Sequence, residues 1–180
     1  LLKSAEGFRE SVEQIANWCS QFELDLIAGI DARGFIFGSA VAFKLNLGFV
    51  PIRKEGKLPH RTIAESYELE YGTDCLEVHE DAIEKGMKLV IVDDLLATGG
   101  TAKAAHQLLQ RCGAEIKGLG FLVELTGLHG REIQNSALSV GITEVKADIP
   151  ALNINSTNNE ALNSGTAGLT FALFDIHNWS

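Results

Sequence analysis

The segment 90–102 carries the residues of this sequence whose types and spacing are best suited to chemistry. An apolar run ends in two adjacent carboxylates, Asp93 and Asp94. A stretch of small and hydroxyl-bearing residues follows, and a helical pattern begins near its end; this stretch consists of Ala97, Thr98, Gly99, Gly100 and Thr101. The pattern predicts a strand, a loop and a helix, with the paired acids where the strand ends.

Each part of this unit favours a sugar phosphate as the ligand. Gly99 and Gly100 let backbone amides approach an anion, and a helix start offers unpaired N–H groups and the positive end of its dipole. Carboxylates are poor phosphate ligands but good partners for sugar hydroxyls or for hydrated Mg²⁺. The motif is neither GxGxxG nor a loop ending in Gly-Lys-Ser/Thr. A phosphate site beside two acids describes a ribose 5-phosphate; the alternative is a strand-to-helix turn with capping residues, which leaves the two acids unexplained.

The surrounding apolar periodicity predicts an α/β fold. A mostly parallel central sheet with helices on both faces is expected, because helical and strand patterns alternate along the chain. We predict helices at 4–22, 35–45 and 101–112, and strands at 24–30, 48–53, 88–92 and 116–124. A polar loop is predicted at 54–65. Alternating stretches at 66–71 and 75–79 predict a hairpin, either as an insertion or at the sheet's edge.

The chain length fits one domain covering 1–180. The pattern weakens after about Asn135. The segment 168–176 is apolar and could form a last strand, but 136–180 as a whole is divergent and receives no functional role.

Composition excludes several classes of protein. The net charge of −9 argues against non-specific nucleic-acid binding, which depends on Lys and Arg. No apolar run approaches the roughly 18 residues of a membrane span. The three cysteines, Cys19, Cys75 and Cys112, are widely spaced and suggest neither a disulfide framework nor a zinc site. We therefore expect a soluble protein of the reducing cytoplasm.

At its central motif the sequence resembles the type I phosphoribosyltransferases, which bind phosphoribosyl pyrophosphate with a pair of acids and a small-residue loop. Four more stretches resemble the adenine-using branch of that family. They are 29–38 (GIDARGFIFG), 53–59 (RKEGKLP), 66–72 (SYELEYG) and 123–132 (VELTGLHGRE). The resemblance implies the family fold with a hood over the site, and transfer of phosphoribose to adenine in purine salvage, giving AMP and pyrophosphate with Mg²⁺. It also implies a homodimer.

The resemblance assigns the pyrophosphate to three residues of one turn, Asp31, Ala32 and Arg33. The family often has a non-proline cis peptide in that turn, here expected at Asp31-Ala32. Arg53 and Lys57 would also reach the pyrophosphate, an arrangement that allows for a contribution across a dimer interface. Mg²⁺, Arg33 and Arg53 would neutralise the departing group. The Mg²⁺ would be held through substrate and water near the acid pair.

The remaining roles concern the base and the 5-phosphate. Segment 97–101 would hold the 5-phosphate. Glu70 and Tyr71 would lie on the hood loop, with Glu70 as acid/base on the purine. Leu125 would pack against the base. In the family, part of the adenine pocket also comes from a segment ahead of the position of Leu1.

Simpler interpretations of single residues stay open. Arg33 could be a surface charge, Lys57 a solvated loop residue and Glu70 a solvent-facing hairpin residue. By periodicity alone Leu125 is a core residue.

Two other functions of the protein also stay open. One is a related enzyme for xanthine, guanine or orotate, although a 6-oxopurine enzyme would place a lysine where 123–125 reads Val-Glu-Leu. The other is a non-catalytic regulator that senses phosphoribosyl pyrophosphate.

Overall fold

A computed structural model describes residues 2–68 and 72–131, together with the backbone of a strand at 172–175. The helices of this part of the chain are α1 (Ala5–Cys19), α2 (Arg33–Leu45) and α3 (Gly100–Arg111). Its strands are β1 (Leu26–Ile30), β2 (Gly48–Lys54), β3 (Thr62–Glu68), β4 (Thr73–His79), β5 (Lys88–Leu96), β6 (Glu115–Glu124) and β7 (Ala172–Asp175). A 3₁₀ turn occupies Thr126–Leu128. None of the described helices is long and apolar enough to cross a membrane.

The strands form one seven-stranded sheet in the order β3-β4-β2-β1-β5-β6-β7. The four central strands, β2, β1, β5 and β6, are parallel. The hairpin β3–β4 joins β2 in antiparallel fashion, and β7 pairs antiparallel with β6. The prediction of a mostly parallel sheet is confirmed. The predicted hairpin forms one edge, and the predicted last strand is present at 172–175.

Helices cover both faces of the sheet, as predicted. Successive residues of a strand point to opposite faces. Ile27 of β1 packs with α1 and α2 on one face, whereas Ala28 packs with α3 on the other. In β5, Val90 packs on the same face as Ile27, and Ile91 packs on the same face as Ala28. The central strands are therefore buried on both sides, which explains their nearly continuous apolar sequence.

Several predicted boundaries were wrong. The strand predicted to end at residue 92 continues to Leu96, because β6 pairs with β5 as far as Leu96↔Glu124. The acid pair therefore lies within β5 rather than after it. The loop predicted at 54–65 is shorter at both ends, since Lys54 belongs to β2 and Thr62 already pairs with His79 of β4. The first helix ends at Cys19 rather than at residue 22.

The order of the sheet fixes where a ligand can bind. Strands β1 and β5 are neighbours at the centre of the sheet. After β1 the chain continues to β2 on one side of this pair, and after β5 it continues to β6 on the other side. The turns that follow β1 and β5 consequently diverge, leaving a crevice at the carboxyl ends of these strands. Ligands of open α/β sheets bind at such a switch point.

Candidate active site

A cavity of about 240 Å³ lies at this switch point and is lined by both turns. Asp31 and Arg33 line it from the β1–α2 side. Asp93 and Asp94 of β5 line it from the other side, followed by the whole loop 97–101. The fold thus brings together most of the residues that the sequence singled out, although they come from two separate motifs.

The loop between β5 and α3 has the backbone of an anion site. Gly99 occupies the N-cap position of α3 with φ 86°, a left-handed conformation that favours glycine. Because glycine has no side chain to cap the helix, the first N–H groups of α3 are not consumed by a capping oxygen. Thr101 lies in the first turn and lines the cavity. These donors and the helix dipole favour a phosphate group.

Asp93 is the more perturbed member of the acid pair. Burial, reinforced by the neighbouring charge of Asp94, raises the pKa of Asp93 to about 7, although its Oδ1 accepts a 2.8 Å hydrogen bond from the Asp94 N–H. The start of α2 packs tightly against this acid. A Cβ atom at Gly34 would lie 2.7 Å from the Val92 carbonyl oxygen and 3.0 Å from Asp93 Oδ1, so a glycine is required there. Asp93 is therefore poised to ionise when a cation or a hydroxyl donor arrives.

The two arginines predicted to bind pyrophosphate are paired with acids of the site. The Arg33 guanidinium forms an ion pair with Asp94, and this hydrogen bond raises the pKa of Arg33. Arg53 donates from Nε to Asp31 Oδ2 at 3.1 Å. The expected cis peptide at Asp31-Ala32 is confirmed, and the exposed Ala32 is the N-cap residue of α2.

The structure adds Lys54 and Tyr67, which the sequence interpretation missed. Lys54 lines the cavity, donates from Nζ to the Tyr67 hydroxyl at 2.6 Å and forms an ion pair with Asp74. The Tyr67 hydroxyl donates to Asp74 Oδ2 at 3.1 Å and accepts from Thr101 Oγ1 at 3.3 Å. Hydrogen bonds to Asp74 and Tyr67 outweigh burial and raise the pKa of Lys54. This network ties the hairpin to the phosphate loop.

The other predicted residues lie away from this cavity or outside the described residues. Lys57 is on the exposed segment between β2 and β3. Leu125 follows β6, is 42% exposed and donates its N–H to the Leu96 carbonyl at 2.8 Å. Its contact with a base stays a prediction. Glu70 and Tyr71 lie outside the described residues, so their hood roles also stay predictions.

A second, more apolar cavity of about 370 Å³ adjoins the first. Arg33 and Asp94 line both cavities. The remaining walls of the second cavity come from Leu2, Lys3, Phe37, Leu122 and Val123. An apolar cavity with a few polar groups at one end suits a flat heterocycle.

A magnesium ion fits this donor set only as a partner of the substrate. Among the described residues, no group of three or more His, Cys, Asp or Glu side chains is placed to hold a metal. Mg²⁺ characteristically keeps several waters and binds through one or two carboxylates together with substrate phosphates. Asp93 and Asp94, which both face the cavity, match that requirement.

Comparison with known proteins agrees with this geometry. Residues 2–148 match the family described as the phosphoribosyl transferase domain. Adenine phosphoribosyltransferases of Thermotoga neapolitana and Acidobacterium capsulatum are 53% and 55% identical over 132 residues, which cover 73% of this chain and 78% and 73% of theirs.

Solved structures are similar as well. The adenine phosphoribosyltransferase of Thermoanaerobacter pseudethanolicus superposes with a TM-score of 0.71 at 51% identity, covering 73% of this chain and 76% of that one. The Saccharomyces cerevisiae enzyme, solved complexed with an imino-altritol bisphosphate and adenine, has a TM-score of 0.68 at 37% identity, with 73% and 77% covered. This chain belongs to the phosphoribosyltransferase family.

Proposed function

We propose that this chain is an adenine phosphoribosyltransferase of purine salvage, which transfers the phosphoribosyl group of phosphoribosyl pyrophosphate to adenine and releases AMP and pyrophosphate. The observation that carries the proposal is the junction of two cavities at one switch point. The cavity with the phosphate loop suits the sugar phosphate, and the apolar cavity beside it suits the base. The choice of adenine is supported by sequence identities of 53% and 55% to enzymes named adenine phosphoribosyltransferase.

The described residues suggest how the sugar phosphate would be held. The N–H groups at the start of α3, with the Thr101 hydroxyl, would bind the 5-phosphate. Asp93 and Asp94 would accept hydrogen bonds from the ribose hydroxyls. Because bond breaking at the sugar leaves positive charge on the ring, two nearby acids would also stabilise that charge electrostatically.

The arginines would act on the leaving group. Arg33 and Arg53 are held at the cavity by Asp94 and Asp31, and would turn from these acids to the pyrophosphate as it departs. Mg²⁺, when bound near Asp93 and Asp94 through substrate and water, would supply further charge neutralisation. Glu70 is proposed to move the purine proton and Tyr71 to cover the reacting centre, both on the basis of the family resemblance.

The base is proposed to occupy the apolar cavity between Phe37, Leu122 and Val123. The stretch 123–125 reads Val-Glu-Leu where a 6-oxopurine enzyme would be expected to place a lysine. Lys3 nevertheless lines the same cavity, so a 6-oxopurine remains the competing substrate to test. A cytoplasmic location stays a prediction of the sequence.

A homodimer is also proposed, with the outer face of α2 as its contact. Ile36 and Phe43 lie two helical turns apart on this face and are 41% and 89% exposed. A phenylalanine this exposed is better accommodated in a protein interface than in water. Light scattering should give a dimer mass for the wild type and a lower mass for Phe43→Ser; a monomeric wild type would refute the proposal.

A base panel tests the proposed reaction. Adenine, hypoxanthine, guanine, xanthine and orotate are each incubated with phosphoribosyl pyrophosphate and Mg²⁺, and the nucleotide formed is measured. We expect turnover with adenine and at least a 100-fold loss of kcat/KM in the Asp93→Asn/Asp94→Asn double variant, the scale on which charge-stabilising groups act. Equal turnover by the double variant would refute the role of the acid pair. Turnover with a base other than adenine would change the substrate, and binding without turnover of any base would favour a regulator.

A further inference from the structure

The segment between β2 and β3, which carries Lys57, is anchored by hydrogen bonds to a buried carboxylate of β4. Glu77 of β4 is only 5% exposed. Its Oε1 accepts hydrogen bonds from the backbone N–H groups of Lys57 and Leu58, each at 2.9 Å. Its Oε2 accepts from Thr62 Oγ1 at 3.3 Å. All these donors belong to the segment or to the first residue of β3.

These donors stabilise the ionised form of the Glu77 carboxylate. Burial of Glu77 opposes its ionisation, but the N–H groups of Leu58, Lys57 and Gly56 and the Thr62 hydroxyl outweigh burial, so its pKa is lowered. Several aligned N–H groups stabilise a carboxylate in this way, and charge-assisted bonds are roughly twice as strong as neutral ones. The segment is consequently held by a charged group rather than by packing alone.

Arg53 holds the same peptide from the opposite side. Arg53 and Glu77 are direct partners in the antiparallel pairing of β2 with β4. Arg53 donates from Nη1 to the Lys57 carbonyl oxygen at 3.0 Å and from Nε to Asp31 Oδ2 at 3.1 Å. An unbroken series of contacts therefore runs from Glu77 through the Lys57 peptide and Arg53 to Asp31 at the cavity.

We propose that Glu77 is a positioning residue for the pyrophosphate end of the site: its carboxylate fixes the segment that bears Lys57 and thereby the direction of the Arg53 guanidinium. The proposal rests on the phosphoribosyl transfer proposed above and extends it, since Glu77 itself would not touch the substrate. Loss of the charge would leave the segment free to move. Phosphoribosyl pyrophosphate would then bind more weakly, whereas the apolar cavity would be unaffected.

The principal test is Glu77→Gln, which keeps the shape of the side chain but removes its charge. Calorimetry measures the Kd of phosphoribosyl pyrophosphate with Mg²⁺ and without a base. We expect roughly tenfold weaker binding, the effect of losing charge-assisted hydrogen bonds. In turnover assays KM for phosphoribosyl pyrophosphate should rise similarly while KM for adenine stays within about twofold. Glu84→Gln, which removes the same charge from an exposed position, is the control and should leave both unchanged.

Two further variants make the outcome decisive. In a Lys57→Ala/Arg53→Ala background Glu77→Gln should add little, because Glu77 acts through the placement of these two side chains; independent effects that multiply would overturn the proposal. Thr62→Val removes a single donor and should weaken binding by about twofold even if Glu77→Gln fails to fold. An unchanged Kd in the variants that fold would overturn the proposal, as would equal losses for both substrates accompanied by a lower Tm. Because the Kd is measured without a base, a wrong choice of adenine would leave this test intact.

Discussion

Asp93→Asn should stabilise the folded protein at alkaline pH while lowering its activity. The carboxyl of Asp93 ionises at an ordinary pKa of 3.8 in the unfolded chain, and burial raises its pKa to about 7 in the folded protein. A pKa raised by folding means that ionisation favours the unfolded state. The cost is small near pH 4, grows as the pH rises from 3.8 to 7, and is constant above that window.

The size of this cost follows from the shift. A difference of about 3 pKa units corresponds to about 4 kcal/mol at 1.36 kcal/mol per unit. We therefore expect Asp93→Asn to unfold with a free energy higher than that of the wild type by about 4 kcal/mol at pH 8 and by about 1 kcal/mol at pH 4.5. Asparagine preserves the shape of the side chain but carries no charge.

Urea unfolding of the substrate-free protein at the two pH values measures the difference. Asp81→Asn, at an exposed position, is the matched control and should show nearly the same stability as the wild type at both. A free-energy difference between Asp93→Asn and wild type that does not change with pH would refute the reasoning. Activity of the same variant should fall, which would show that this acid is retained for function at the expense of stability.

Three other substitutions probe the elements around the site. Gly34→Ala would place a Cβ 2.7 Å from the Val92 carbonyl oxygen and 3.0 Å from Asp93 Oδ1, so we expect the free energy of unfolding in urea to fall by about 1–3 kcal/mol and kcat/KM to fall as well. The control is Gly127→Ala, because nothing lies within 4 Å of a Cβ at that position. Equal behaviour of the two variants would contradict the packing argument. Burial lowers the pKa of His106 from 6.5 to about 4, so stability should fall as the pH drops through that window, by about 2 kcal/mol at pH 5. In His106→Leu this acid-dependent loss should disappear from pH-dependent unfolding curves, and its persistence would assign it to another group. Tyr67→Phe removes the hydroxyl that joins Thr101 to Asp74, and should weaken phosphoribosyl pyrophosphate binding a fewfold in calorimetry, whereas an unchanged Kd would leave the network with a purely structural role.

The central motif could be predicted from the sequence because its parts are local. Strand, acid pair, glycines and helix start follow one another within 90–102, so their neighbourhood in space is set by chain connectivity. The β1–α2 turn was assigned to the same site only through the family resemblance. The structure gives the physical reason, because β1 and β5 are neighbours and the carboxyl ends of neighbouring parallel strands meet at one edge of a sheet.

The residues that were missed depend on contacts between distant strands. Tyr67 meets Asp74 only because the β3–β4 register places them opposite each other, and Glu77 meets Lys57 only because β4 pairs with β2. Neither register is encoded in apolar periodicity. The end of β5 was misplaced for a similar reason: two acids interrupt the apolar pattern, while the partner strand β6 continues to supply hydrogen bonds beyond them.

The pairing of Arg33 with Asp94 and of Arg53 with Asp31 has a consequence for how a polyanion would arrive. Both arginines proposed for the pyrophosphate already face an anion, and the whole chain carries a net charge of −9. At a distance the ligand would meet repulsion, and attraction would begin only once it displaces a carboxylate from a guanidinium at close range. Added salt would therefore speed the first encounter by screening the repulsion, the reverse of what an electrostatically steered enzyme shows.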